Sequence, residues 1–299
     1  VPAITATIDV PGAVLTYDVH EPEAAPAARP LFVVGSPMGA AGFATLVSHF
    51  PDRVVVTYDP PGADRSTLTG AGPNPDPMTR GAGLHAIAAE IGGAIAAGPF
   101  DVFANSGGAV DALAWIQQFH EDVAVAVLHE PPLAKVLPDS DLVAAAMDGV
   151  HAAYEAHGFG AGMAAFIALA SAQGELTTEF LAQPAPDPAV LGLPADDDGA
   201  RGDPLLGINM RTMQHWLPAF ASIRVASTRI IPAYGADSGE TMAARAARAL
   251  AVELGLECEV FPGDHGAFMN GEYGQVGKPD EFAAKLREVL TAAAHPPEV

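Results

Sequence analysis

The chain of 299 residues is 49% hydrophobic and 17% charged, and 36 acidic against 14 basic side chains leave it a net charge of −22. Such a composition can bury a large core and excludes global disorder, while so few cations leave no basic face for nucleic acid or an anionic membrane surface. The lone Cys258 excludes an internal disulfide, no Cys/His spacing suggests structural zinc, and neither a secretory leader nor a run of about 18 apolar residues is visible, so the expected setting is cytoplasmic.

From the N-terminus, Ile4 to Asp9 and Ala13 to His20 alternate apolar and polar residues around Pro11-Gly12, which predicts an antiparallel hairpin. Glu21 to Pro30 is a Pro/Ala loop. Leu31 to Val34 is a continuous apolar run, the pattern of a parallel strand buried on both faces; Gly35-Ser36-Pro37-Met38-Gly39 and a helix over Phe43 to Phe50 follow it. Val54 to Tyr58 is the next strand and ends in the turn Asp59 to Ser66. Leu84 to Ala97 is an Ala-rich helix, Asp101 to Ala104 a strand, and the helix after Ser106 reaches His120. Val123 to Leu128 is a further buried strand, halted at His129-Glu130-Pro131-Pro132. Leu133 to Ile223 then shows helical periodicity, loops rich in Pro, Gly and Asp, and no strand. Alternation resumes with a strand over Arg229 to Tyr234, a helix over Glu240 to Leu254 and a strand over Glu257 to Phe261. The turn Pro262-Gly263-Asp264-His265-Gly266 and a helix over Pro279 to Ala294 close the chain. Strands alternating with helices predict an α/β protein, a mostly parallel sheet with helices on both faces and its site at the carboxyl ends of the strands.

Ala104-Asn105-Ser106-Gly107-Gly108 lies between a strand and a helix. A turn that sharp holds its central hydroxyl clear of the backbone and needs tiny residues two positions to either side; a plain glycine turn with Ser106 as N-cap is the simpler alternative. The pentapeptide resembles the nucleophile elbow of the α/β-hydrolase superfamily, with alanine in place of the first glycine of G-x-S-x-G. The resemblance covers nearly the whole chain. It implies an α/β-hydrolase fold with residues 1–132 and 224–299 as core and 133–223 as a helical cap.

A serine hydroxyl is a weak nucleophile until a histidine takes its proton, a carboxylate orients that histidine and backbone donors meet the oxyanion. His265, in the glycine-flanked turn PGDHGAF, resembles the family's histidine loop; His49, His85, His120, His151, His157 and His295 read as helix or tail residues, and His215 falls in the cap. The family's usual acid position falls on Ser238 in Gly235-Ala236-Asp237-Ser238, with Asp237 one residue early. Glu130 ends the strand after the elbow helix, where some haloalkane dehalogenases and lactone hydrolases of this fold carry their acid. It is preferred, and Asp237 is its rival. The resemblance implies oxyanion donors at the amides of Gly107 and Ser36, with Met38 in reserve because Pro37 has no N–H. Asp64-Arg65-Ser66 reads as a structural turn.

Met210, Met213, Trp216, Leu217 and Phe220 recur at helical spacing, and Tyr154, Phe159, Met163 and Phe166 form a second apolar set. Such stripes serve as core or as an adaptable apolar pocket, and the first set is expected to line the pocket. The expectation is a serine hydrolase of an apolar, aromatic-tolerant ester or lactone, at its narrowest a macrocyclic aromatic lactone of the zearalenone type. Neither metal nor organic cofactor is called for. An aspartate nucleophile of the dehalogenase or epoxide hydrolase kind is disfavoured by Ser106. A peptidase or carbon–carbon hydrolase uses the same triad, a ligand receptor on this fold needs none of it, and pairing with a second copy of the chain stays open.

Overall fold

A computed structural model describes residues 3–294 apart from 23, 27, 71, 73 and 94–97. Strands β1 (Ala3–Val10) and β2 (Ala13–His20) pair antiparallel from Ala3 opposite His20 to Val10 opposite Ala13. There follow β3 (Leu31–Val34), a 3-10 turn leading into α1 (Ala44–Ser48), β4 (Val55–Tyr58) and the two-residue β5 (Thr67–Leu68). Next come α2 (Pro77–Gly92), β6 (Phe100–Asn105), α3 (Gly107–Phe119) and β7 (Val123–His129). Between β7 and β8 (Arg229–Gly235) lie α4 (Ser140–Ser171), α5 (Thr178–Ala182), a π-helical turn Pro204–Asn209 running into α6 (Met210–Met213), and α7 (Phe220–Arg224). No strand occurs there among the described residues. α8 (Met242–Leu254), β9 (Glu259–Phe261) and α9 (Pro279–Ala294) complete the order.

The sheet runs β1-β2-β4-β3-β6-β7-β8-β9, with β5 on β2. From β4 to β9 neighbouring strands are parallel. The chain goes outward from β3 to β4 and then crosses to β6 on the other side, so the order reverses between β3 and β6. At such a switch point the loops leaving two neighbouring strands part and open a crevice at their carboxyl ends. The loop after β3 and the turn at Ser106 meet there.

Alternation along the strands divides the core. Phe32, Val34, Val102, Ala104, Ala126 and Leu128 pack with α2, α3 and α8 on one face. Leu31, Val33, Phe103, Val125 and Val127 pack with α1 and α9 on the other. Helix α2 begins seven residues before the predicted Leu84, because Asp76 caps it by accepting the Thr79 amide at 2.8 Å and Pro77 takes the first turn. Ala94 to Ala97, the predicted end of that helix, lie outside the described residues, as does His295. Predicted Glu257 and Cys258 precede β9, and β5 is too short to leave a pattern.

Candidate active site

Strand β6 ends at Asn105 and α3 begins at Gly107, so Ser106 alone makes the turn. Its φ of 56° and ψ of −129° are strained for an L-residue, at a cost of about 1–3 kcal/mol. The conformation is held by the Ser106 amide donating to the His129 carbonyl at 2.9 Å and the Ala109 amide donating to the Ser106 carbonyl at 2.9 Å. Packing explains the glycines. A Cβ at Gly108 would lie 2.3 Å from the Val34 carbonyl oxygen, and one at Gly107 would lie 2.4 Å from that of Ser36. Ala104 is fully buried against the same helix. The unpaired amides at the start of α3, with the positive end of its dipole, therefore lie beside Ser106.

His265 follows β9, and its Nδ1 lies 2.6 Å from Glu130 Oε2. The other carboxylate oxygen of Glu130 accepts the Gly235 amide at 2.8 Å. The Glu130 backbone, at φ 50°, also departs from ordinary geometry and is pinned by its amide donating to the Ala233 carbonyl at 2.9 Å. Burial alone would push this carboxyl up; hydrogen bonding and charge from His265, helped by His129 and Ser238, bring it down to about 2. A buried carboxylate that stays ionised on an imidazole fixes the tautomer and stabilises the imidazolium. The rival, Asp237, is exposed and lies 2.6 Å from Lys278 Nζ. Its one-residue displacement from the expected place turns it outward, while Ser238 is buried.

Two residues that the sequence did not mark complete the floor. Asn105 and His129 are neighbours in the β6–β7 register, on the sheet face away from α3, and His129 Nδ1 is 2.8 Å from Asn105 Oδ1. A carbonyl oxygen only accepts, so His129 carries its proton on Nδ1. Its Nε2 is buried with no partner among the described residues. Phe103, Phe261 and Phe282 surround the ring, and the His265 ring lies 6.3 Å away. Burial pulls the His129 pKa down to about 4, so the imidazole is neutral. Only the strand register, invisible in one sequence, singles out this pair from other strand-end polar residues.

Of the expected oxyanion donors, Ser36 is buried beside Gly107, and its Oγ accepts Asn209 Nδ2 at 2.8 Å. The Met38 side chain lies against Gly42. Arg65, in the turn after β4, is held by Asp18 at 2.7 Å and Asp59 at 2.5 Å, a structural clamp.

The expected pocket residues separate. Met213 lies over the start of α3, its Cε 2.9 Å from where a Gly107 Cβ would be. Trp216 is half-buried and follows closely, its amide donating to the Met213 carbonyl at 3.0 Å. Met210 is one turn away and lines a cavity of about 230 Å³ with Met147, Asp148, His151 and Gln214. Phe220 is a correction. The Ala219 amide donates to Gln117 Oε1 at 2.7 Å, which places Phe220 at the far end of α3, about 16 Å along the helix from Ser106. The second apolar set is core: Tyr154 is fully buried, and Phe159, Met163 and Phe166 pack against the same cluster.

Cys258 offers no competing nucleophile, because burial pushes its thiol up to about 12. Among the described residues no group of three or more His, Cys, Asp or Glu is placed to hold a metal ion, and no helix is long and apolar enough to cross a membrane.

The architecture and the elbow together define the α/β-hydrolase fold, and the chain has that fold. It is similar over 97% of its length to proline iminopeptidase of Mycobacterium smegmatis, covering 98% of that chain at 17% identity and a TM-score of 0.63. A thermophilic esterase from Thermogutta terrifontis matches at 15% identity and a TM-score of 0.65, over 99% of this chain and 100% of that one. The enol-lactonase from Burkholderia xenovorans LB400 matches at 16% identity and a TM-score of 0.62, over 96% and 100%. No family model matches the sequence, and no curated protein matches it.

Proposed function

We propose that the chain is a serine hydrolase of an apolar carboxylic ester or lactone, with Ser106 as nucleophile, His265 as base and Glu130 as the acid that orients it. The observation that carries the reading is the buried, ionised Glu130 on His265 Nδ1, next to a serine in a strained strand-to-helix turn. With Nδ1 occupied, His265 Nε2 takes the Ser106 proton as Oγ attacks the carbonyl carbon. The amides of Gly107 and Ser36 receive the oxyanion. Collapse of the tetrahedral intermediate breaks the bond to the alcohol oxygen, which His265 protonates, leaving an acyl-enzyme that water cleaves by the same steps. No metal or organic cofactor enters this chemistry.

Segment 133–223 serves as the cap. Met213, over the start of α3, gives the site an apolar wall, which favours an apolar ester or lactone over a charged peptide. Neighbours whose names specify esterase or lactonase activity are in keeping with that choice.

The test is labelling with a fluorophosphonate followed by peptide mapping, together with turnover of a chromogenic phenyl ester. The adduct is expected on Ser106, and Ser106→Ala should cost on the order of 10⁶-fold in turnover. An adduct on another residue, or turnover retained in Ser106→Ala, overturns the reading.

A further inference from the structure

Behind the Ser36 loop lies a set of buried polar side chains that the Ser-His-Glu arrangement does not use. Asn209 ends the π-helical turn and is 2% exposed; its Nδ2 donates to Ser36 Oγ at 2.8 Å. Ser36 in turn lies beside Asp111, on α3, which is fully buried. Burial pushes that carboxyl up, while Arg80 and the Ser36 hydroxyl hold it back. Arg80 donates from Nε to Asp111 at 2.8 Å and from Nη1 to Thr212 Oγ1 at 2.9 Å. The Thr212 hydroxyl donates to the Asn209 carbonyl at 3.2 Å, which returns the path to its start. Asn74 Nδ2 pins the same turn at the Gly207 carbonyl, at 3.0 Å.

Polar groups this deeply buried are costly unless partnered, and these are linked across four separate pieces of chain, α2, α3, the Ser36 loop and the 204–213 segment, with Arg80 Nη2 and Asp111 Oδ2 left without a hydrogen-bond partner among the described residues. A π-helical turn is itself uncommon and is frequent at functional sites. The Ser36 peptide also has no slack toward the nucleophile, since its carbonyl lies against Gly107.

We propose that Asn209 is a positioning residue for the oxyanion hole: by holding the Ser36 hydroxyl it sets where the Ser36 amide stands relative to that of Gly107, so that the cap must be seated for the site to receive an oxyanion. The proposal rests on the hydrolase reading above. Asn209 touches no reacting atom and acts through Ser36.

The experiment compares wild type with Asn209→Leu, which keeps the volume and removes the donor, with Ser36→Ala, which removes the acceptor and keeps the amide, and with the double variant. Each single change is expected to lower kcat about 10- to 100-fold while KM stays within about twofold, the size of effect that an ångström-scale displacement produces. Affinity for a trifluoromethyl ketone, which forms a tetrahedral adduct with a serine, should fall by the same factor as kcat/KM. The double variant should be no worse than Ser36→Ala alone, because Asn209 acts through the hydroxyl which that change removes, together with its contact to Asp111. Unchanged kcat in Asn209→Leu, a loss confined to KM, or losses that multiply in the double variant overturn the proposal. Should Asn209→Leu fail to fold, Ser36→Ala, which deletes one oxygen, carries the same expectation and the same overturning results. Labelling of wild-type Ser106 separates the two readings. No labelling removes the hydrolase reading and this proposal with it, whereas labelling with unaltered variant kinetics removes only the role of Asn209.

Discussion

Ser106 and Glu130 both have positive φ and stand at the ends of adjacent parallel strands, each pinned through its amide to the carbonyl of the next strand. Backbone strain is maintained only where the surroundings over-determine it, and here it falls at two neighbouring strand ends, at one of which Glu130 meets His265. Glu130 has no spare oxygen: Oε1 accepts Gly235 and Oε2 meets His265. In Glu130→Gln the carbonyl oxygen retains the Gly235 amide, so the NH2 group faces His265 Nδ1 and forces the proton onto Nε2, the tautomer that cannot accept from serine. Turnover should fall on the order of 10⁴-fold. Asp237→Asn, on the solvent side, should stay within about twofold of wild type. Steady-state kinetics, with circular dichroism to confirm folding, checks both; the reverse order would pass the acid role to Asp237. A glutamate ending an apolar strand was readable as an acid candidate. That it hydrogen-bonds on both sides, and that Asp237 faces Lys278, depended on the β7–β8–β9 register and on the direction of the following loop.

At the scale of elements, the elbow depends on close approach of α3 to β3. Gly108→Ala places a methyl 2.3 Å from the Val34 carbonyl oxygen, backbone that cannot swing aside, so the helix or the strand must move. Overpacking of this kind costs about 1–3 kcal/mol and should lower kcat as well, because the Gly107 amide moves with the helix. Thermal melting and ester turnover read the two losses. Wild-type behaviour would mean that α3 is not tightly constrained. The need for small residues here was legible from the motif, whereas the placing of Phe220 was not. Helical spacing from Met210 assumed one continuous helix, but α6 stops at Met213 and α7 starts afresh at Phe220. A periodic stripe loses its meaning at a break that local composition does not announce.

For the molecule as a whole, burial of a neutral histidine beneath the site couples stability to pH. His129 has an ordinary value of 6.5 when unfolded and about 4 in the native fold, so between those limits the unfolded chain binds the extra proton. Its contribution is complete above pH 6.5 and is lost as pH falls toward 4, at up to about 1.4 kcal/mol per pH unit. His20, also lowered by burial, adds to the slope, and His49, raised by its hydrogen bond to Asp280, opposes it. Glu130 acts lower, its contribution present above 4.5 and lost toward about 2. Denaturant unfolding at pH 7, 5.5 and 4.5 should show stability falling with acidity, and His129→Phe, which suits the surrounding phenylalanines, should flatten that slope by about one proton. An unchanged slope would remove His129 as its source.

Alternation of strand and helix, the parallel sheet, the elbow at Ser106 and the glycine-flanked His265 were all determined by the sequence alone. They rest on local rules: period, turn chemistry and the size of neighbouring residues act within a few positions of the residue concerned. Tertiary structure decided the pairings between distant segments. Glu130 reached His265 across 135 positions, Asn209 reached Ser36 across 173, and His129 found Asn105. Each depends on which strands are neighbours, on their register and on the loop that turns a side chain in or out. A one-residue change in any of these sends the side chain to the opposite face, and one sequence carries no local mark of the choice.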